Sequence, residues 1–385
     1  VTLFVALELV SIPTYVLLYL PRADRPAREA AVKYFLLSIF SSGLLLFGFS
    51  YLYGMTGTTN LPAILDAFSG GEKTPAGPPA LAMVAVVMIV AGLGFRITAV
   101  PFHFYAPDVY QGAPTSGAAL LAFVPKLAGF VALIRILGYA VPDPAAGLTL
   151  RMQVPLLLWI LAAITMTLGN VVALWQDNLQ RILAYSSVAH AGYMLIGLAT
   201  APYLAGSASG GVGAVLFYLV AYAAMTLGAF GILAVLNSTG RRAETVDDLA
   251  GLGRSHPRLA LLMALFLFSL IGLPLTAGFT GKLMLFWGAV DVGTQLPNTA
   301  GQLYTILALV GVLNAATGAY YYLRIIAVMY LRGAIHPFGR PTSRPGWVAI
   351  WACAAITVWL GVYAKPMQPL VRAAAASEVP AAPRR

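Results

Sequence analysis

The chain has 385 residues, of which 60% are hydrophobic and 9% charged. Soluble domains are roughly one-quarter charged, so this composition excludes a water-soluble globule and makes lipid the natural solvent. The formal net charge of +10 is no sign of nucleic acid, because the basic residues sit in short gaps between apolar runs, where they set topology.

In chain order, membrane spans are expected at about 1–20, 31–54, 79–104, 115–140, 152–176, 182–200, 212–237, 258–286, 303–331 and 345–364. Each approaches or exceeds the length a helix needs to cross roughly 30 Å of hydrocarbon. The alternating pattern of a membrane barrel is absent, so the fold class is all-α, a polytopic transmembrane helix bundle of about ten spans. No basic leader precedes the first run, so no cleavable signal peptide is expected. Val1 implies an unusual start or a missing front. The single cysteine, Cys353, lies inside an apolar run and allows neither a disulfide framework nor metal-ligand spacing.

The gaps divide by charge. Arg22, Arg25, Arg28, Arg181, Arg241, Arg242, Arg254, Arg332, Arg340 and Arg344 fall on one side if the spans alternate. The other side holds Lys73, Arg151 and the tail residues Arg372, Arg384 and Arg385. The richer side is assigned to the cytoplasm. Residues 56–78 read as an outer loop, 241–256 as a cytoplasmic loop with a short amphipathic turn, and 373–385 as a disordered tail.

Four charges lie within spans: Glu8, Arg96, Lys126 and Lys282. A charge at the bilayer centre costs about 2.5–3.5 kcal/mol on insertion scales, so such groups are functional hypotheses by default. Lys126 is too far from either end of its span to reach water by snorkelling. Lys33 opens its span beside a basic gap, and both an interfacial anchor and a role in the pathway stay open. His190, in AYSSVAHAGYML, reads either as a relay group or as a satisfied polar residue between helices. Asp108 follows a proline and is expected to cap or bind backbone groups. Arg135 and Arg324 read as anchors toward the cytoplasmic ends of their spans.

Two spans carry breakers. FRITAVPFHFYAPDVYQGAPT places Pro101 five residues after Arg96, and LIGLPLTAGFTGK crowds Gly272, Pro274, Gly278 and Gly281 around Lys282. Proline removes a backbone donor and clashes with the preceding turn. A break at membrane depth is tolerated where protein or a watery cavity satisfies the freed groups. Paired interrupted helices in corresponding positions indicate inverted repeats of a transporter. No GxGxxG follows a strand, no CxxC occurs, and no haem-ligand pair is evident. The chain is therefore expected to move charge without bond-making chemistry. Lysine suits that task, since burial and a movable carboxylate partner change its hold on a proton.

These two stretches and LWQDNLQRILAYSSVAHAGYMLIGL resemble the antiporter-like subunits of respiratory complex I. The opening LFVALELVSIPTYVL with AVKYFLL is most similar to the subunit-N group of the bacterial proton-translocating NADH–quinone oxidoreductases. The resemblance spans roughly residues 1–365. It implies two inverted five-helix repeats, each with a broken helix, arranged as 1–140 (N-terminally incomplete), 141–331, and a final helix with its tail, 332–385. It also implies that the family's first four spans are lacking from this chain.

Residue by residue, the resemblance assigns a proton pathway of Glu8, Lys33, Lys126 and Lys282. Arg96 stands where the family usually has lysine. Arginine is effectively always charged, so Arg96 is expected to serve as a fixed counter-charge to Glu8, with Lys126 as the titrating centre and His190 a link toward Lys282.

The implied function is proton translocation in a bacterial inner-membrane NADH–quinone oxidoreductase. No cofactor is implied in this chain; NADH, FMN, iron–sulfur clusters and quinone would belong to partner subunits. The implied partners are the lipid bilayer and other complex I membrane subunits, especially a neighbouring antiporter-like one. The alternative is a subunit of a multisubunit sodium/proton antiporter.

Overall fold

The computed structural model describes residues 1–19, 24–68, 79–137, 148–204, 210–333, 338–339 and 343–363. Arg22, Lys73, Arg340, the 140/141 repeat boundary and the tail 373–385 lie outside the described residues. All the regular structure described is helical: α1 (Thr2–Tyr19), α2 (Arg25–Thr56), α3 (Leu61–Phe68), α4 (Pro79–Ile97), α5 (Ala106–Gly112), α6 (Thr115–Leu137), α7 (Leu148–Ala173), α8 (Leu179–Thr200), α9 (Gly211–Asn237), α10 (Leu252–Ser255), α11 (Pro257–Ile271), α12 (Ala277–Gln295), α13 (Asn298–Leu331) and α14 (Arg344–Val362). Short 3-10 turns sit at Ala201–Tyr203 and Val246–Leu249.

Among the described residues, nine helices are long and apolar enough to cross a membrane. The tenth expected crossing, 258–286, is an interrupted one made from α11 and the start of α12. The expected outer loop contains a short helix, α3, whose apolar LPAILDAF sequence was masked in the reading by the polar residues around it.

Local chemistry sets several ends. Asp24 caps α2, accepting from the Ala27 amide, with Pro26 in the first turn. Asn178 caps α8 through the Arg181 amide, and Ser343 caps α14 through the Gly346 amide. Such oxygens satisfy amides that have no partner in the first helical turn.

α8 is the axis of the bundle. Every residue from Leu179 to Ala201 except Arg181 and Tyr185 is buried. It packs against α5, α7, α9 and α12. Helix α1 and much of α2 instead expose large apolar side chains such as Leu9, Ile12, Phe35, Phe40 and Phe47, as lipid or a neighbouring helix would allow.

One end of the bundle gathers the charged loops. Arg242 reaches Asp24 at the start of α2. The loop before α10 pairs with the start of α8 through Leu179 N to Glu244 O and Val246 N to Asp177 O. Arg324 of α13 and Arg332 just after its end meet Asp177 and Asp247. Arg135 belongs to the opposite end, which corrects the reading that grouped it with Arg324. Helix α6 begins at this charged end, where Asn237 donates to Thr115, and rises about 1.5 Å per residue away from it before reaching Arg135.

The buried charge row as candidate functional site

The two interrupted helices break in similar ways. Helix α4 stops at Ile97, and Thr98 takes a left-handed φ of 60° before α5 begins at Ala106. Helix α11 stops at Ile271; Gly272 (φ 95°) and Leu275 (φ 69°) turn the chain into α12. The left-handed region is costly for residues with a Cβ, yet Thr98 and Leu275 both adopt it. The first break starts ahead of Pro101, the residue that announced it.

Arg96 occupies the last turn of α4, with its side chain only 2% exposed. Its Nη2 lies 2.8 Å from Glu8 Oε1 on α1, and its Nη1 donates to the Ser11 hydroxyl. Ser42 of α2 donates to the same Glu8 oxygen at 2.5 Å. Three helices therefore close around one ion pair. Ser11 and Ser42 carried no signal in the sequence, because serine is common at helix contacts in membranes.

Lys126 is 1% exposed near the middle of α6. Its Nζ donates to the Ser187 carbonyl and hydroxyl, each at 2.5 Å, and lies 4.8 Å from the centre of the Tyr222 ring. His190 stands one turn beyond Ser187 on α8. Its Nδ1 is 2.6 Å from the Tyr218 hydroxyl and its Nε2 is 3.3 Å from that of Tyr322. Tyr322 in turn bonds Ser186.

Lys282 is 6% exposed in the second turn of α12. Its Nζ donates to Leu270 O at 2.8 Å and Ile271 O at 2.9 Å. Those are terminal carbonyls of α11, left without intrahelical amides by the break. The lysine stem passes over Gly272, where an added Cβ would lie 3.3 Å from Lys282 Cδ. Gly278 brings the two half-helices together: a Cβ there would fall 1.8 Å from Ser269 O. The ammonium also sits 4.9 Å from the centre of the Tyr193 ring.

Of the six residues singled out in the sequence, Glu8 and Arg96 meet directly. Lys126, His190 and Lys282 share the face of α8 that carries Ser187, His190 and Tyr193. Lys33 stands elsewhere, in the charged end, bonding Glu29 at 2.7 Å and also Asp108.

Asp108 does not cap a helix. It takes Lys33 on one oxygen and Arg181 on the other, the latter at 2.6 Å, so α2, α5 and α8 join at one carboxylate. Burial raises the carboxyl's hold on its proton, but the hydrogen bonds from Lys33 and Arg181 outweigh it and leave the pKa below the ordinary value. Among the described residues, no group of three or more His, Cys, Asp or Glu side chains is placed to hold a metal.

These side chains can hold charge and hydrogen-bonded protons inside the bundle.

Known proteins share this architecture. The sequence model for the family described as "NADH:quinone oxidoreductase/Mrp antiporter, TM" matches residues 1–308. The NADH-quinone oxidoreductase subunit N of Trichlorobacter lovleyi is 45% identical over 333 residues, covering 86% of this chain and 63% of that protein. The chain thus spans a little under two-thirds of that relative's length. The subunit N of Paramagnetospirillum magneticum is 37% identical over 382 residues, with 99% and 74% covered. A chain of respiratory complex I from Thermus thermophilus superposes with a TM-score of 0.76 at 33% identity, over 95% of this chain and 74% of that one. A chain of the Mrp complex from Dietzia superposes at 0.80 with 22% identity, over 97% and 73%, a likeness of fold. With most of its length matched by the family model, this multi-pass membrane chain belongs to the NADH:quinone oxidoreductase/Mrp antiporter transmembrane family.

Proposed function

We propose that this chain is a proton-carrying membrane subunit, of the subunit-N type, of a bacterial inner-membrane NADH–quinone oxidoreductase. NADH oxidation and quinone reduction occur in partner subunits, with their FMN and iron–sulfur clusters. The observation that carries this reading is the set of ionisable groups inside the bundle: the Glu8–Arg96 pair, Lys126 on Ser187 of α8, and Lys282 on the freed carbonyls of α11. The relatives are NADH-quinone oxidoreductase subunits N, which supports the choice of complex.

In this reading Arg96 stays charged throughout, so Glu8 is the member of the first pair that exchanges a proton. A neutralised Glu8 leaves an uncompensated cation on the Lys126 side of α4. That change in local charge favours proton release from Lys126, since like charges close together in a low-dielectric site repel. His190, held by two tyrosine hydroxyls, links Lys126 to Lys282. Water completes the gaps between side chains. The cytoplasmic side is the charged end that holds Asp108, and the lipid bilayer and adjoining antiporter-like subunits enclose α1 and α2.

The test is Lys126→Ala in the assembled complex, with NADH-driven acidification followed in inverted membrane vesicles. Acidification should fall to a small fraction of wild type while the complex still assembles. Full acidification with the variant present would overturn the assignment.

A further inference from the structure

Lys126 and Lys282 are held in the same unusual way. Each ammonium donates to two oxygens of a neighbouring chain segment, Ser187 O and Oγ for Lys126, Leu270 O and Ile271 O for Lys282. Each then sets a third side against an aromatic face, Tyr222 at 4.8 Å and Tyr193 at 4.9 Å. Among the described residues neither ammonium has a carboxylate within ion-pairing distance, unlike Arg96, Lys33 and Arg181, which all do.

The negative face of an aromatic ring attracts a cation, and more strongly when water is excluded. Both tyrosines are buried, at 1% and 2% exposure. The Tyr193 ring is fixed from behind. Asn170 donates to the Tyr193 hydroxyl at 3.0 Å and accepts from Tyr321 at 3.1 Å. The His190 ring fills the space between them, 5.3 Å from Tyr222 and 5.5 Å from Tyr193, edge-on to the latter.

We propose that the ring faces of Tyr222 and Tyr193 act as the counter-charges of Lys126 and Lys282, holding each ammonium without a carboxylate, so that proton transfer at these sites depends on ring electron density. This rests on the reading of the chain as a proton carrier. A carboxylate would bind the ammonium tightly and compete for its proton. A ring gives a weaker, non-basic partner that takes no proton itself, which suits a site that must load and unload. The two tyrosines are thus holding residues; the lysines carry the proton.

The test replaces Tyr222, and separately Tyr193, by Phe and then by mono-, di- and trifluorophenylalanine in the assembled complex. Fluorination withdraws electron density from the ring face while nearly preserving its shape. NADH-driven acidification per NADH oxidised should survive Tyr→Phe at more than half of wild type. It should then fall stepwise, several-fold across the fluorinated series. Equal acidification from Phe to trifluorophenylalanine would overturn the proposal. So would loss already at Phe, which would make the hydroxyl the working group. Lys126→Ala is measured alongside. Acidification retained there defeats the proton-carrier reading, whereas loss there with a flat fluorine series defeats only the role of the rings.

Discussion

Gly129 lies directly against Arg96. A Cβ at Gly129 would fall 3.0 Å from Arg96 Cβ and 2.6 Å from Ile97 Cγ2. Gly129 is one turn beyond Lys126 on α6, so the missing side chain is what seats the Lys126 helix against the end of α4. The spacing between the fixed cation and the titratable one is therefore set by a hydrogen atom.

Gly129→Val should push α6 from α4. Overpacking of this kind costs about 1–3 kcal/mol, and the expected result is a lower temperature of half-inactivation and reduced proton movement. Both are measurable on the purified complex, by heating followed by activity and by vesicle acidification. Unchanged values for both would show that the contact is dispensable.

Removing one member of the first ion pair should be far worse than removing both. Glu8→Gln leaves Arg96, 2% exposed, without its carboxylate. Stranding a buried charge costs about 3–5 kcal/mol. Assembly of Glu8→Gln should fall, and Glu8→Gln with Arg96→Met should recover it, as seen by blue-native gels. Arg96→Lys should be tolerated in assembly and in acidification.

Asp108→Asn should loosen the junction of α2, α5 and α8 by about 1.5–3 kcal/mol, the range for hydrogen bonds to charged groups. Its pH dependence has a definite sign. The folded pKa lies below the ordinary carboxylate value because the bonds from Lys33 and Arg181 outweigh burial. The stabilisation is thus fully present above about pH 4 and disappears as pH falls through the lower folded value. Half-inactivation temperatures of wild type and Asp108→Asn should differ at neutral pH and converge in strong acid.

Leu275 is 71% exposed and holds a left-handed φ of 69°. Glycine accepts that conformation without a Cβ clash. Leu275→Gly should keep the break in place and raise stability by up to about 1 kcal/mol, the balance of relieved strain against the extra freedom of the unfolded chain. A thermal shift assay in detergent checks it; a clear loss of stability would mean that the exposed leucine contacts a partner or lipid.

The crossings were readable because lipid imposes length and apolarity on every span, and the two breaks because proline and glycine disturb helices in any setting. The placement of Lys126 needed only its distance from both ends of an apolar run. Other features were not legible. Asp108 follows a proline at the start of a short helix, and that local pattern suggests a cap. Its true partners, Lys33 and Arg181, come from distant helices that only tertiary folding brings together. Tyr193, Tyr222 and Asn170 look like ordinary buried residues of apolar helices, and their relation to the lysines depends on helix rotation. Arg135 was misplaced because a lone arginine near a span's end says nothing about which end.

The carbonyls at the end of α11 give Lys282 a second identity. In an unbroken helix they would be met by amides of the next turn; here one amine stands in for both. An ammonium offers three hydrogens and a neutral amine two. Losing the proton therefore weakens the clasp that joins the two halves of the bend. By reciprocity, any tug that opens the bend must also change how firmly the proton is kept. The kink is in this sense a mechanical handle on an acid–base equilibrium.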